Sequence, residues 1–380
     1  MARHYLDHAS TSPARPEVVD AMLPWLAATA DPGRVHTEGR LARVAVEDAR
    51  ERVAALFGAR PREVVFTSGA TESIATAVFG ATAVSAAAGV SRAGPHVVCP
   101  AVEHSAVRQA SAPFEVTIVG VDRQGRVDAV EMAAAVRPGE TALVNIQLAN
   151  HEVGTVQPVA EVMESCGGLG ALVHVDAAAA AGHVPIDFAA LGVDLLSMSA
   201  HKLGGPAGMG ALLMRRGVRL PPLLVGGEQE RGRRAGAENV AGIVGFGAAA
   251  EVLASQLDAE ALAARRQTER LLGATSAVGG VTAYGDTGGR LPHLFCIGVD
   301  GVEAEAVLIG LDQAGIAVHS GSACSSESLE PSPVLEAMGV AANQSLRVST
   351  GWSTTKADID ALVDALPTVV ARLRGLAGGT

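Results

Sequence analysis

A chain of 380 residues in which 48% of the side chains are hydrophobic is long enough for two domains and too apolar to be disordered or fibrous. Its formal net charge of -11 excludes a nucleic-acid backbone as the main partner, because the densest basic stretches, 215–219 and 230–234, are short. The composition therefore indicates a globular protein of about two domains.

The first 200 residues alternate short β-branched runs with longer alanine-rich helical patterns. The predicted strands cover 63–67, 96–100, 114–120, 141–149, 171–177 and 194–200, and the predicted helices between them include 43–57 and 71–88. Apolar strands that alternate with helices are typical of a mostly parallel sheet covered on both faces. We therefore expect an α/β fold built on such a sheet.

A long helical pattern over 248–272 follows, rich in alanine, glutamate and arginine, and it could bridge two domains. Beyond it lie the strand-like runs "HLFCIGV", "IAVHSGSAC" and "SLRVST" and a final helical pattern over 355–373. This order predicts a smaller α+β domain. We expect a large domain of 15–255 and a small domain made of 1–14 and 256–380.

The amino terminus, "MARHYLDHAS", lacks an apolar stretch, and no apolar run is both long and glycine-free enough to span a bilayer. The expected location is the cytoplasm, where free thiols persist. The four cysteines form no C-x-x-C pair and no metal-binding spacing, so no metal site is expected.

One cysteine differs from the others in its surroundings. Cys99 and Cys296 lie in strand-like apolar runs and are predicted core residues, whereas Cys324 lies in "HSGSACSSESLEPS" (319–332) among turn-forming glycine and serine. A lone cysteine is usually a small core hydrophobe, but such neighbours offer little to bury it. We expect the Cys324 thiol to be reachable.

The stretch "FTSGATES", residues 66–73, reads as a strand end, a tight turn at Gly69 and a helix that begins near Ala70. The amides of Ala70 and Thr71 would then point outward from a helix N-terminus, which is a phosphate-binding arrangement. An ordinary strand-to-helix turn with a serine cap explains the same letters.

The stretch "SMSAHKLGGPAGMGAL", residues 197–212, places Lys202 between an apolar strand and a glycine-rich run. Lysine is seldom buried unless paired, and a desolvated amine is what Schiff-base chemistry with a carbonyl cofactor requires. Ser199 and His201 flank Lys202 and can hydrogen-bond a phosphate. The alternative is a surface lysine whose aliphatic stem lies along apolar side chains.

The stretch "VHVDAA", residues 173–178, places Asp176 at the end of another apolar strand. A carboxylate there needs a cation, and the protonated pyridine nitrogen of pyridoxal phosphate is such a partner. A helix cap is the alternative. The phosphate site, Asp176 and Lys202 are more specific together than singly, and their placement at strand ends fits ligand binding in open α/β sheets.

The pattern S-x-S-A-H-K-x-x-G-P-x-G-x-G, with "FTSGATES" before it and "SGSACSSESLEPS" after it, resembles the cysteine desulfurases. These are fold-type I pyridoxal-phosphate enzymes of the class V aminotransferase group, with a large domain on a mostly parallel sheet and a smaller α+β domain. The resemblance runs from "YLDHASTSP" through "GGEQERGRRAGAEN" to "SLRVSTGWSTT". The long serine-rich cysteine loop is similar to the NifS/IscS-type branch rather than the SufS-type branch.

The resemblance implies roles around pyridoxal 5'-phosphate. Lys202 would hold the cofactor covalently, Asp176 would pair with its pyridine nitrogen, and His104 would stack on its ring and move protons. The residues that would hold its phosphate are Ala70, Thr71, Ser199 and His201.

Substrate and partner roles follow from the same resemblance. Arg347 would clamp the substrate carboxylate, where a bidentate fork suits a planar anion, and Asn150 would also contact the substrate. Cys324 would be the nucleophile. The segment "GGEQERGRRAGAEN" would reach the active site of a second subunit, so a homodimer is expected.

Three positions depart from the family pattern. Asn150-His151-Glu152 stands where the family usually has Asn-Asn-Glu, Ala179 stands where a glutamine bonds the cofactor's phenolic oxygen, and Ala237 stands where a threonine reaches the neighbouring subunit's phosphate. We expect His151 to take over the phenolic-oxygen contact, since imidazole can donate as the amide does. The two alanines predict altered cofactor affinity.

The expected activity is removal of sulfur from L-cysteine, which leaves L-alanine and a persulfide on Cys324. A related lyase or aminotransferase is an alternative that needs no thiol there. A degenerate member that mainly binds a partner is an alternative of another class, favoured by the three departures. The sulfur acceptor stays open among an iron–sulfur scaffold, a tRNA-thiolation enzyme and a DNA-phosphorothioation system.

Overall fold

The computed structural model describes residues 3–87, 95–275, 278–320 and 331–377. Within these ranges the strands are β1 His4–Tyr5, β2 Val64–Thr67, β3 His96–Pro100, β4 Glu115–Val119, β5 Thr141–Gln147, β6 Leu172–Asp176, β7 Leu195–Ser199, β8 Gly210–Met214, β9 Val281–Tyr284, β10 Leu294–Val299, β11 Ile316–Ala317, β12 His319–Ser320 and β13 Ser345–Ser349. The α-helices are α1 Pro16–Leu26, α2 Thr37–Leu56, α3 Ala70–Ala87, α4 Ser105–Ser111, α5 Ala129–Ala135, α6 Val159–Cys166, α7 Phe188–Leu191, α8 Gln229–Gly232, α9 Val240–Thr275, α10 Ala304–Gln313, α11 Pro333–Ala337 and α12 Lys356–Ala377.

The main sheet has seven strands in the order β2-β8-β7-β6-β5-β3-β4. Strands β3 to β7 run parallel, with helices α4 to α7 in the connections between them. Strand β8 is antiparallel to both β7 and β2. Every residue of β2, β3, β5, β7 and β8 is buried, as expected for a sheet covered on both faces. The predicted α/β fold on a mostly parallel sheet is confirmed.

The register of the central strands aligns the residues at their carboxyl ends. Gln147, the last residue of β5, pairs with Asp176, the last residue of β6, and Asp176 pairs with Ser197 in β7. Since side chains alternate between the two faces of a strand, Ser199 faces the same side of the sheet as Ser197. Helix α3 begins at Ala70, shortly after β2 ends, so its N-terminus lies at this same edge.

A second sheet contains four antiparallel strands in the order β12-β13-β10-β9, and β1 pairs with β11 in parallel. Helices α10 and α12 pack against each other and against β11. The division into a domain of 15–255 and a domain of 1–14 with 256–380 stays a prediction. Helix α9 runs without a break across residue 255.

Helix α9 spans 36 residues and packs along α1 and α2. By length and composition alone this described helix could cross a membrane, but 61% of its most apolar stretch is buried inside the protein. The contact with α2 is close, since a Cβ on Gly247 would lie 2.6 Å from the Cβ of Ala49. Its packing is that of a core helix.

Candidate active site

A cavity of about 210 Å³ lies at the carboxyl ends of β5, β6 and β7, next to the start of α3. The residues predicted to bind the cofactor all line it, and apolar residues and Gln147 complete the wall. The lining residues are Ala70, Thr71, Ile74, His104, Gln147, Ala149, His151, Asp176, Ala178, Ala179, Ser199, His201 and Lys202. The fold thus brings together groups that are distant in the sequence.

The N-terminus of α3 meets the end of β7 in this cavity. The amide of Ala70 donates to Ser199 Oγ at 2.8 Å, which ties the first turn of the helix to the strand. The approach of β8 to the turn before α3 requires glycine, because a Cβ on Gly210 would lie 2.6 Å from the Cα of Gly69. Amides of a first helical turn beside serine and histidine side chains form a site suited to an anion such as phosphate.

Lys202 lies in the 3-10 turn Ala200–Leu203 that directly follows β7. Its side chain is partly buried, and Nζ donates a hydrogen bond to the carbonyl of Ala9. Burial, helped by the nearby charge of Lys202, lowers the pKa of His201 to about 4. His201 is therefore a neutral imidazole at neutral pH, and it places no positive charge next to Lys202.

Asp176 is 6% exposed, and its Oδ1 accepts a hydrogen bond from the amide of Ala178 at 2.9 Å. His174 lies two residues earlier on the same strand, with its ring nitrogens 2.9 Å from Asn145 Oδ1 and 2.7 Å from Ser197 Oγ. Burial lowers the pKa of His174 to about 4, so this imidazole adds no positive charge beside Asp176 at neutral pH.

Two histidines meet at the cavity wall. The rings of His104 and His151 are 4.9 Å apart between centroids at an interplanar angle of 71°, an edge-to-face contact. His104 also caps α4, since its Nδ1 accepts from the amide of Ala106 at 3.1 Å. His151 Nε2 lies 3.5 Å from Glu152 Oε1. The ring of His104 and the imidazole of His151 are thereby held at one side of the cavity.

The two predicted substrate residues do not line the cavity but hold the loop that carries His151. Arg347, in β13 and 2% exposed, donates to the carbonyl of His151 at 3.0 Å, and to Asp7 and Ser10 at 2.9 and 2.7 Å. Asn150 is fully buried, and its Oδ1 accepts the amides of Glu152 and Val153 at 2.8 Å each.

The two predicted core cysteines, Cys99 and Cys296, are indeed buried, and Cys166, for which no prediction was made, is buried as well. Cys99, Cys166 and Cys296 are each 0% exposed, and burial raises the pKa of all three thiols, that of Cys99 to about 12. Such thiols stay protonated and unreactive at neutral pH. The predicted nucleophile, Cys324, lies outside the described residues.

The described residues on either side of segment 321–330 are anchored close to the site. On one side, His319 and Ser320 pair with Arg347 and Leu346 of β13. On the other side, Ser332 caps α11 and donates a hydrogen bond to the carboxylate of Glu152. Both contacts involve the residues that hold, or lie next to, His151.

The cavity suits the cofactor that the resemblance implies. It offers a primary amine at Lys202, a buried carboxylate at Asp176, an aromatic ring at His104 and the amides of a helix start, which match an aldehyde, a pyridine nitrogen, a ring face and a phosphate. Ala179 lines the cavity, and its side chain offers no hydrogen-bonding group. In the parts of the chain that the structure describes, no group of three or more histidine, cysteine or acidic side chains is arranged around a metal.

Two polar residues at the site were not singled out from the sequence. Gln147 lines the cavity, and Glu103 lies fully buried behind it with Oε1 accepting the amide of Gln147 at 2.7 Å. A polar residue within the apolar run "TALVNIQLA" was a signal for Gln147. Glu103 had a weaker signal, its position immediately before His104.

Known proteins share this architecture and much of this sequence. A model of the aminotransferase class-V family matches residues 4–362. The cysteine desulfurase IscS of Dictyoglomus turgidum is 40% identical over 383 residues, which cover 97% of this chain and 95% of that protein.

Solved structures agree. A NifS-like protein superposes with a TM-score of 0.89 at 31% identity, covering 98% of this chain and 100% of that one. The structure described as SspA in complex with cysteine superposes with a TM-score of 0.81 at 30% identity, covering 92% of this chain and 99% of that one. This chain therefore belongs to the aminotransferase class-V family and, within it, to the cysteine desulfurases of the NifS/IscS type.

Proposed function

We propose that this protein is a pyridoxal-phosphate-dependent enzyme that converts L-cysteine to L-alanine and leaves the sulfur on Cys324 as a persulfide. The observation that carries the proposal is the cavity that joins Lys202, Asp176 and His104 at the start of α3. The cysteine desulfurase relatives and the solved complex with cysteine support the choice of substrate.

Each residue of the cavity has a task that its position allows. Bound pyridoxal phosphate would supply a sink for the electrons of the substrate's α-carbon. Lys202 would anchor the cofactor through its amine and would take or return the substrate's α-proton, and Asp176 would keep the pyridine nitrogen protonated. His104 would lie against the ring, while the amides of α3 with Ser199 and His201 would hold the phosphate.

Arg347 is the proposed partner of the substrate carboxylate. Two of its guanidinium nitrogens are committed to His151, Asp7 and Ser10, and these contacts fix the plane of the guanidinium. Its buried Nε has no hydrogen-bond partner among the described residues, so one donor is available for an anion. Asn150 contributes by shaping the loop that carries His151.

Sulfur transfer assigns the remaining role to Cys324. Its thiolate attacks the substrate sulfur, and the carbon–sulfur bond of the substrate breaks. The β-carbon gains a proton, so L-alanine is released, and the sulfur stays on Cys324 as a persulfide. Each of the three described thiols is buried, which supports a nucleophile in segment 321–330. We further propose a homodimer in the cytoplasm that passes the sulfur to a protein acceptor, whose identity stays open among the three systems named above.

A trapping experiment tests the cofactor site. The chain has only two lysines, Lys202 and Lys356, and Lys356 has an 80% exposed side chain paired with Asp360. Borohydride reduction of the loaded protein should fix the cofactor on the Lys202 peptide, as read by mass spectrometry. Lys202→Ala should abolish the adduct, because no other amine lies in the cavity wall, and Lys356→Ala should leave it intact. An adduct on Lys356, or one that persists in Lys202→Ala, would show the assignment to be wrong.

A further inference from the structure

Glu103 is a fully buried carboxyl that none of the proposed steps uses. It lies between β3 and α4, directly before His104. Its Oε1 accepts the amide of Gln147 at 2.7 Å, and the side chain of Gln147 donates to the carbonyl of Val102 at 2.9 Å. These two bonds join the loop that carries His104 to the end of β5.

The surroundings of Glu103 disfavour a negative charge. Its Oε2 is buried and has no hydrogen-bond partner, and no cation pairs with the carboxyl within the described ranges. Among charged groups, Asp176, itself a carboxylate, acts most strongly against ionisation of Glu103, and the opposing effect of His151 is smaller. An ionised carboxyl that is buried, half-bonded and next to another carboxylate is costly, whereas its neutral form is not.

We propose that Glu103 is a protonated positioning residue beneath the cofactor site, holding the His104 loop on β5 and leaving Asp176 as the ionised member of this pair of carboxyls. The hydrogen bond to Gln147 fixes the loop, and the proton removes the repulsion from Asp176. A glutamine would keep the shape and the acceptor, whereas an ionised glutamate would place a second charge beside the pyridine nitrogen's partner.

The titration of Glu103 agrees with this role. Burial, followed by the charge of Asp176, raises its pKa from 4.5 to about 8. The titratable groups that face it are Asp176 on β6, His151 in the loop after β5 and the Cys99 thiol on β3, and His104 follows it in the chain. The group therefore carries its proton at neutral pH and releases it under mildly alkaline conditions.

Protonation makes a prediction about stability that a hydrogen bond alone does not. Between about pH 4.5 and pH 8 the unfolded chain has lost the Glu103 proton while the folded chain keeps it, so stability falls as pH rises and levels off above the folded pKa. Glu103→Gln cannot titrate. The Tm of the variant minus that of the unsubstituted chain should therefore rise from about pH 5 to pH 8 and stay constant above pH 8.

Glu230→Gln is the matched control. Glu230 is also buried, at 4% exposed, but Arg50 pairs with both its oxygens at 2.7 and 2.8 Å, so its charge is balanced. Glu230→Gln should lower the Tm by about the same amount at every pH from about 6 to 9. A Tm difference for Glu103→Gln that is equally independent of pH would overturn the proposal.

Two further readouts complete the test. Infrared spectroscopy of the unsubstituted chain needs no variant to fold, and it should show a protonated carboxyl at neutral pH that disappears above about pH 8. The absence of that band would overturn the proposal. The second readout, the visible spectrum of the loaded protein, depends on the proposed cofactor site. A change in that spectrum at alkaline pH that is caused by Glu103 should be missing in Glu103→Gln. An unchanged alkaline transition would remove the claimed influence on Asp176, while the stability and infrared results stand apart from cofactor binding.

Discussion

At the scale of single residues, a group of histidines, of which His8 and His293 are buried, lies beside the main chain of Lys202. His183 and His293 stack face to face, with ring centroids 3.4 Å apart at 14°, and His8 is fully buried nearby. Burial lowers the pKa of His8 to about 4 and that of His293 well below 6.5. Neutral imidazoles of this kind tolerate close packing against one another and against a lysine, and protonated ones do not.

These histidines should make the protein sensitive to mild acid. The unfolded chain would bind protons below about pH 6.5 that the folded chain refuses, so the stabilisation is complete above that pH and is lost toward pH 4. His293→Asn should reduce the loss of unfolding free energy between about pH 7 and pH 5 by on the order of 1–3 kcal/mol, measured by urea unfolding.

His36→Asn is the control for this experiment. Its side chain is 53% exposed and caps α2 by accepting the amide of Gly39, a bond that asparagine can also make. The pH profile of this variant should follow that of the unsubstituted chain. If His293→Asn gave the same profile too, buried histidines would not be the cause of acid sensitivity.

Single residues also show how far the sequence could be interpreted. Lys202 and Asp176 were predictable as site residues because each ends an apolar strand, where a charged group is out of place. The protonated state expected of Glu103 was not predictable, because it depends on Gln147 and Asp176, which lie on strands distant in the sequence. The hydrogen bonds of Asn150 to the backbone of its own loop were not predictable either, because such local bonds leave no pattern in the sequence.

At the scale of elements, the contact between α2 and α9 depends on glycine. Helix α9 begins at Val240 rather than near 248, although the glycines at its start weaken helix propensity. Two of them allow close packing, since Gly245 lies against Met22 of α1 and Gly247 against Ala49 of α2. Strand β8 was also missing from the predicted set, since it begins inside the glycine-rich run after Lys202. In both cases tertiary packing decided what local propensity could not.

A pair of glycine substitutions tests this view of α9. Gly247→Ala would place a Cβ 2.6 Å from that of Ala49 in α2 and should cost about 1–3 kcal/mol of unfolding free energy. Gly273→Ala, in the same helix but with open space around it, should stabilise by about 0.5–1 kcal/mol. Chemical denaturation of both variants gives the comparison. Equal effects would mean that α9 does not depend on close contact with α2.

At the scale of the whole molecule, the two sheets converge on one loop. Arg347 of the smaller sheet donates to the carbonyl of His151, and Ser332, just beyond segment 321–330, bonds Glu152. The sequence could predict the main sheet because its strands alternate with helices. It could not predict the sulfur acceptor, which depends on the surface of another protein.

Sulfur transfer to Cys324 is the central claim, and the most direct measurement is to follow the sulfur. Brief incubation of the loaded protein with sulfur-labelled L-cysteine, followed by thiol alkylation and peptide mapping, should place the label on the Cys324 peptide with alanine released in equal amount. Cys324→Ser should bind cofactor and cysteine yet form neither product, because a hydroxyl is far less nucleophilic than a thiolate at neutral pH. Label on Cys99, Cys166 or Cys296, with the serine variant still releasing alanine, would contradict the claim.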